Sequence, residues 1–260
     1  MSGRGIGDDL RRALEDFCGL DKVVVASDYD GCVAPIQPKP EMAVPNPAAL
    51  GSLNRIAGLP DTRVAMVSGR ARDNLAEISG AGDPLVLIGS HGAEWAAGFS
   101  DPLTADQRDL LARIIDEFGS ISERFAGTSV EVKPASTTLH VRNATRDDAD
   151  AALVLAETGP ATWPGVEVTK GKAVIELAVI ETSKGHALDR LRRAFDADAV
   201  LYLGDDVTDE KAFAHLNRRD AGGRDVGIKV GSGHTVAEFR VDDCDDVAAV
   251  LDFVATHRAS

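Results

Sequence analysis

Short β-branched runs alternate with helix-period segments along most of this chain. The run Val-Val-Val-Ala-Ser that starts at Val23 stops at Asp28, and residues 64–67, 85–88, 199–203 and 225–230 are apolar stretches of similar length. The first four do not alternate polar with apolar positions, which is the pattern of strands covered on both faces in a parallel sheet, and 225–230, with Asp225 and Lys229, is read as a further strand. The intervening segments repeat at helical spacing. Leu10, Leu14 and Phe17 fall on one face of residues 8–18, and Gly19 stops that helix. Asn46 and Pro47 form a helix start in which Asn caps and Pro occupies the first turn. Further helices are expected from Gly69 to about Ile78, over 184–195 and 208–216, and from Asp243 to about Thr256. Strand–helix alternation of this kind predicts a doubly wound parallel α/β core.

The rhythm breaks near Leu103. Thr104 and Gln107 form a capping-box pattern ahead of Leu110, Leu111, Ile114, Ile115 and Phe118. Strand-like runs follow at 129–133 and 137–142, then a helix capped by Thr145, then a second strand pair around Lys170-Gly171-Lys172. One helix, two strands, one helix and two strands make an α+β module with an antiparallel sheet. It reads as an insertion. The expected organisation is a core of 1–103 and 183–260 interrupted by a cap of 104–182.

Ligands of open parallel sheets bind outside the carboxyl ends of the strands. At those ends the chain carries Asp28 and Asp30, then Ser68, then Asp205 and Asp206, with Asp209 one helical turn further on. Lys184 opens a helix that reaches the same edge. If the strand geometry continues, alternation places Asp28 and Asp30 on one side. Close carboxylates repel unless something neutralises them, and a divalent cation does so readily. Carboxylates, a hydroxyl and an ammonium on one rim suit phosphoryl transfer, with a carboxylate as nucleophile, magnesium on the phosphate oxygens, and Ser68 and Lys184 as supports.

Composition narrows the partners. The 260-residue chain has a formal net charge of −14, which excludes a nucleic-acid binder with a broad basic face and disfavours anionic membranes. No apolar run reaches the ~18 residues of a membrane span. Cys18, Cys32 and Cys244 are far apart and odd in number, so neither a disulfide framework nor a zinc cluster is expected. A monomeric cytoplasmic protein acting on a small molecule is the expectation. Cys32 as a thiol nucleophile is disfavoured, because Pro38 stands where a thiol-phosphatase loop needs its arginine.

Asp28-Tyr-Asp-Gly, Ser68-Gly-Arg, Ser183-Lys184-Gly and Gly204-Asp-Asp-Val-Thr-Asp-Glu resemble the four motifs of the haloacid dehalogenase-like phosphatases. Ser90-His-Gly-Ala-Glu, the run from Val130-Glu131-Val-Lys133 to His140-Val-Arg142, Gly171-Lys172 with Glu176, and Val230-Gly-Ser-Gly are similar to the trehalose-6-phosphate phosphatases within that superfamily. The resemblance implies that Asp28 is the nucleophile and a magnesium ligand. It implies that Asp30 is the acid and base and lends a backbone oxygen to the metal. Asp205 completes the site, with Asp206 and Asp209 in direct or indirect support, while Ser68 and Lys184 hold phosphate. It further implies that Lys133, His140, Arg142, Lys172 and Glu176 face the sugar. Glu131, Arg70 and His91 are substrate-binding candidates beside them. Arg70 could instead pair with a nearby carboxylate, and His91 could serve structure alone.

The chain departs from the family pattern at Cys32, where Thr is usual, at Val33, where Leu is usual, and at Leu177-Ala178-Val179, where Arg-Pro is common. Alternatives that the residues leave open are a capped phosphatase for another sugar or cyclitol phosphate and a non-catalytic phospho-acceptor module.

Overall fold

The computed structural model describes residues 6–99, 102–180, 183–216 and 224–259. The chain divides into two units, 1–96 with 183–260, and 97–182. The first unit opens with α1 (Asp8–Cys18), β1 (Val23–Ser27), α2 (Pro47–Ala57), β2 (Thr62–Val67), α3 (Arg72–Ser79), β3 (Val86–Ile88) and the short β4 (Glu94–Trp95). The second holds the short β5 (Gly98–Phe99), α4 (Ala105–Arg124), β6 (Ser129–Val132), β7 (Ser136–His140), α5 (Arg146–Thr158), β8 (Glu167–Gly171) and β9 (Val174–Ala178). The chain then returns to the first unit with α6 (Lys184–Phe195), β10 (Ala199–Gly204), α7 (Val207–Leu216), β11 (Val226–Val230), β12 (Phe239–Val241) and α8 (Cys244–His257).

Six strands of the first unit form one parallel sheet in the order β12-β11-β10-β1-β2-β3. Every residue of β1 and β10 is buried, as expected of strands covered on both faces. One face carries Val23, Val25, Leu201 and Leu203 against α1, α2 and α8. The other carries Val24, Ala26, Val200 and Tyr202 against α6 and α7. Helix starts follow the local chemistry. The Asn46 side chain accepts from the backbone N–H of Ala48 and Ala49, Ser183 caps α6 through His186 N–H, and Asp243 caps α8. The short β12 went unanticipated; three residues with polar flanks carry too little pattern to read.

The second unit is a four-stranded antiparallel sheet, β6-β7-β9-β8. Its apolar face, with Leu139, Ile175 and Leu177, packs on Ile114, Phe118 and Ala152 of α4 and α5. Thr104 and Gln107 close the capping box at the start of α4. Among the described residues no helix is long and apolar enough to cross a membrane.

Candidate active site

Parallel register brings the acidic residues together. Ser27 of β1 lies level with Leu203 of β10, so Asp28 and Asp205 leave the sheet at the same edge. Asp28 N–H still bonds to Leu203 C=O, at 2.9 Å. Beyond it the chain turns at Gly31, whose φ is +81°. A Cβ built on Gly31 would fall 2.1 Å from an oxygen of Asp205. Only glycine leaves room there for the carboxylate to sit against the turn.

Asp28, Asp205 and Asp209 each offer a carboxylate oxygen, and these lie within 4.8 Å of one another. Lys184 is 2% exposed. Its Nζ donates to Asp28 Oδ2 at 2.6 Å and to Asp209 Oδ1 at 2.8 Å. One ammonium cannot balance three carboxylates. Burial, then repulsion from Asp209 and Asp205, raises the Asp28 pKa despite Lys184. Burial and Asp209 push Asp205 up to about 7. Asp209 moves the other way: burial alone would raise it, but Lys184 and the hydrogen bonds it accepts hold it low. Burial likewise works against the Lys184 ammonium, and Asp209 and Asp28 outweigh it and raise its pKa. The three carboxylates outnumber the Lys184 and Lys229 ammoniums beside them, and the donors are hard oxygens, which suits a hard divalent cation.

Asp30 takes a different place from the one strand alternation suggests. Regular geometry ends at Ser27, and the Asp30 side chain turns to Arg70 instead of joining the three carboxylates. Arg70 Nε and a terminal nitrogen each donate to one Asp30 oxygen at 2.7 Å. The neutralising partner is a bidentate guanidinium. Arg70 is itself held by Pro40 C=O and the Asn74 side chain. Asp206 is exposed, and its side chain accepts from the N–H of Val207, the first residue of α7. Ser68 is buried at the end of β2, where its Oγ accepts from Arg70 N–H at 3.2 Å. His91 has φ +52°, and its ring lies where a Cβ on Gly69 would stand.

The remaining candidates lie in the second unit. On the sheet face opposite its helices, Glu131, Thr138, Glu176 and Thr169 align across four strands. Lys133 Nζ donates to Glu176 at 2.9 Å and Ser136 Oγ to the other Glu176 oxygen at 2.7 Å. His140 Nε2 lies 2.8 Å from Glu131. Burial alone would raise Glu131, but His140 and Lys133 bring its pKa below the usual range. Arg142 and Lys172 are exposed, beyond β7 and in the β8–β9 turn. Leu177 and Val179 lie in the apolar core of this unit, whereas Ala178, two residues on from Glu176, is buried on the sheet face of Glu176.

Two residues escaped the sequence reading. Tyr202 of β10 is fully buried and donates its hydroxyl to Asp209 Oδ1 at 2.6 Å. Lys229 of β11 is buried level with Gly204, and its Nζ donates to Asp205 C=O. A tyrosine or lysine within an otherwise aliphatic run was the available signal, since either needs a polar partner when buried.

This chain is similar in sequence and fold to known proteins. The trehalose-phosphatase family profile matches residues 26–245. A bifunctional trehalose-6-phosphate synthase/phosphatase of Thermoproteus tenax is 35% identical over 91% of this chain and 32% of its own length; the chain spans about a third of that relative. A trehalose-6-phosphate phosphatase of Escherichia coli is 32% identical over 88% of this chain and 85% of its own. The C-terminal domain of the C. albicans trehalose-6-phosphate phosphatase superposes with a TM-score of 0.80 at 24% identity, covering 95% of this chain and 97% of that one; it supports the fold. The parallel core, the inserted α+β unit and the profile match together show that the chain belongs to the trehalose-phosphatase family, a family of phosphoric monoester hydrolases.

Proposed function

We propose that this chain hydrolyses trehalose 6-phosphate to trehalose and phosphate, using Mg²⁺ and a phosphorylated Asp28. The observation that carries the reading is the cluster of Asp28, Asp205 and Asp209 around the buried Lys184. The names of the relatives supply the substrate. Asp28, Asp205 and the backbone oxygen of Asp30 would hold the cation, which neutralises phosphate charge and lets Asp28 ionise. The Asp28 carboxylate forms a bond to phosphorus as the bond from phosphorus to the sugar oxygen breaks. Asp30 delivers the proton that the departing oxygen needs. A water then attacks phosphorus, gives its proton to Asp30, and frees Asp28 with release of phosphate. In the resting arrangement Arg70 holds both Asp30 oxygens. Lys184 and Ser68 steady the phosphate oxygens. The Glu131–His140 and Lys133–Glu176 pairs of the inserted unit are assigned to the sugar hydroxyls, for which paired charged groups are suitable partners.

Phosphate release from a panel of sugar and cyclitol phosphates, with and without Mg²⁺, tests this reading. Trehalose 6-phosphate should exceed glucose 6-phosphate by at least ~10²-fold in kcat/KM, a margin that several hydroxyl-directed hydrogen bonds supply, and chelation should abolish turnover. Faster hydrolysis of another sugar phosphate would overturn the substrate assignment. Labelling without turnover would instead point to a phospho-acceptor.

Charge crowding has a signature in stability. The folded chain keeps a proton on Asp205 between the ordinary value of 3.8 and about 7, where the unfolded chain has already released it. That contribution is complete below the unfolded value and is lost as pH rises through the folded one. Without metal, the thermal midpoint should therefore fall between about pH 5.5 and about pH 7.5 by more in the wild type than in Asp205→Asn. Added Mg²⁺ should raise the wild-type midpoint more at about pH 7.5 than at about pH 5.5, because it binds the ionised form. Equal shifts at both pH values would contradict the assignment.

A further inference from the structure

We propose that Tyr202 is a positioning residue which, through Asp209, fixes both Lys184 and the Asp205–Asp206 turn. Asp209 is 0% exposed. Its Oδ1 accepts from Lys184 Nζ at 2.8 Å and from the Tyr202 hydroxyl at 2.6 Å. Its Oδ2 accepts from the backbone N–H of Asp205 and of Asp206, each at 2.9 Å. An ionised carboxylate has about four acceptor positions, and here protein donors fill them all. Asp209 thus ties together the end of β10, the start of α7 and the ammonium at the start of α6, and it has no position left for a cation.

The seat is built for this role. A Cβ on Gly204 would fall 2.4 Å from Asp209 Cγ, so the carboxylate lies directly against the strand end. The Tyr202 ring is fully buried, with its centroid 5.7 Å from that of Phe213. A ring carried by a central strand and wedged against a helix offers a donor at a fixed point. Without it Asp209 keeps three donors, and Lys184 is held less firmly between Asp209 and Asp28. The kinetic part of the proposal rests on the phosphatase reading; the geometric part does not.

Tyr202→Phe keeps the ring and removes the donor. Loss of one hydrogen bond to a charged group predicts a fall in kcat of ~10- to 100-fold. KM should stay within about twofold, and the Mg²⁺ dissociation constant, measured by calorimetry on the metal-free protein, should rise by much less than kcat falls, because every side chain assigned to the cation is retained. Amide hydrogen exchange at Asp205 and Asp206 in the metal-free protein should accelerate by about tenfold, while Val24 and Val25 in mid-strand keep their protection. Unchanged kcat with only a lower thermal midpoint would reduce Tyr202 to packing and overturn the proposal, and so would unchanged exchange at the two amides. A loss of Mg²⁺ affinity in step with kcat would make Asp209 a metal ligand and would overturn it equally. A wild type inactive on every sugar phosphate, combined with accelerated exchange in the variant, would refute the phosphatase reading and leave the positioning role standing.

Discussion

Asp28→Asn should bring phosphate release below about 1% of the wild type while the protein stays folded, since the amide is a poor nucleophile. Asn has nearly the volume of Asp, and Asp28 is buried with its pKa already raised, so burying an amide there adds no new buried charge. Tyr29 N–H can still donate to the remaining oxygen, as it does to Asp28 Oδ1 at 2.6 Å. The new NH2 then faces Lys184, which loses the Asp28 oxygen it donated to but retains Asp209. The thermal midpoint should therefore stay within a few degrees of the wild type, and Mg²⁺ affinity should drop because a ligand is lost. Activity above a few per cent would mean that another group attacks phosphorus.

The second large effect is expected at Lys184. Its ammonium is buried between Asp28 and Asp209. Removing one partner of a buried charge cluster leaves the others uncompensated, at a cost of about 3–5 kcal/mol. For a chain of this size that lowers the thermal midpoint by roughly 6–20 °C. Lys184→Ala should thus be both inactive and visibly destabilised, in contrast to Asp28→Asn, which is inactive only. The Lys184→Ala/Asp209→Asn pair should be less destabilised than the sum of the single changes, because the two residues share one network. Additive losses would show that the network is not a unit.

Much of this was legible in the chain because strand ends advertise themselves. An apolar run that stops at Asp28, and another that stops at Gly204-Asp205, mark the sheet edge and the carboxylates it carries. The Asn46, Thr104, Ser183 and Asp243 caps mark helix starts by the same local logic. What was not legible depends on tertiary choices. Asp30 turns to Arg70, forty residues away, because the chain leaves strand geometry before reaching it, and no alternation rule applies past that point. Tyr202 and Lys229 sit in runs whose composition reads as core, and their polar ends find partners only once β10, β11 and α7 are packed. Asp206 and Asp209 look equivalent in the motif, yet one faces solvent and the other is enclosed. The helical register of α7 decides between them.

The central claim is that the Asp28 carboxylate attacks phosphorus. Borohydride reduces an acyl phosphate to an alcohol, so trapping during turnover with trehalose 6-phosphate and Mg²⁺ converts the phosphorylated aspartate to homoserine. Peptide mass spectrometry should find homoserine at position 28, only when substrate and Mg²⁺ are both present. Homoserine at any other aspartate, or an unmodified position 28 under rapid turnover, would contradict the account.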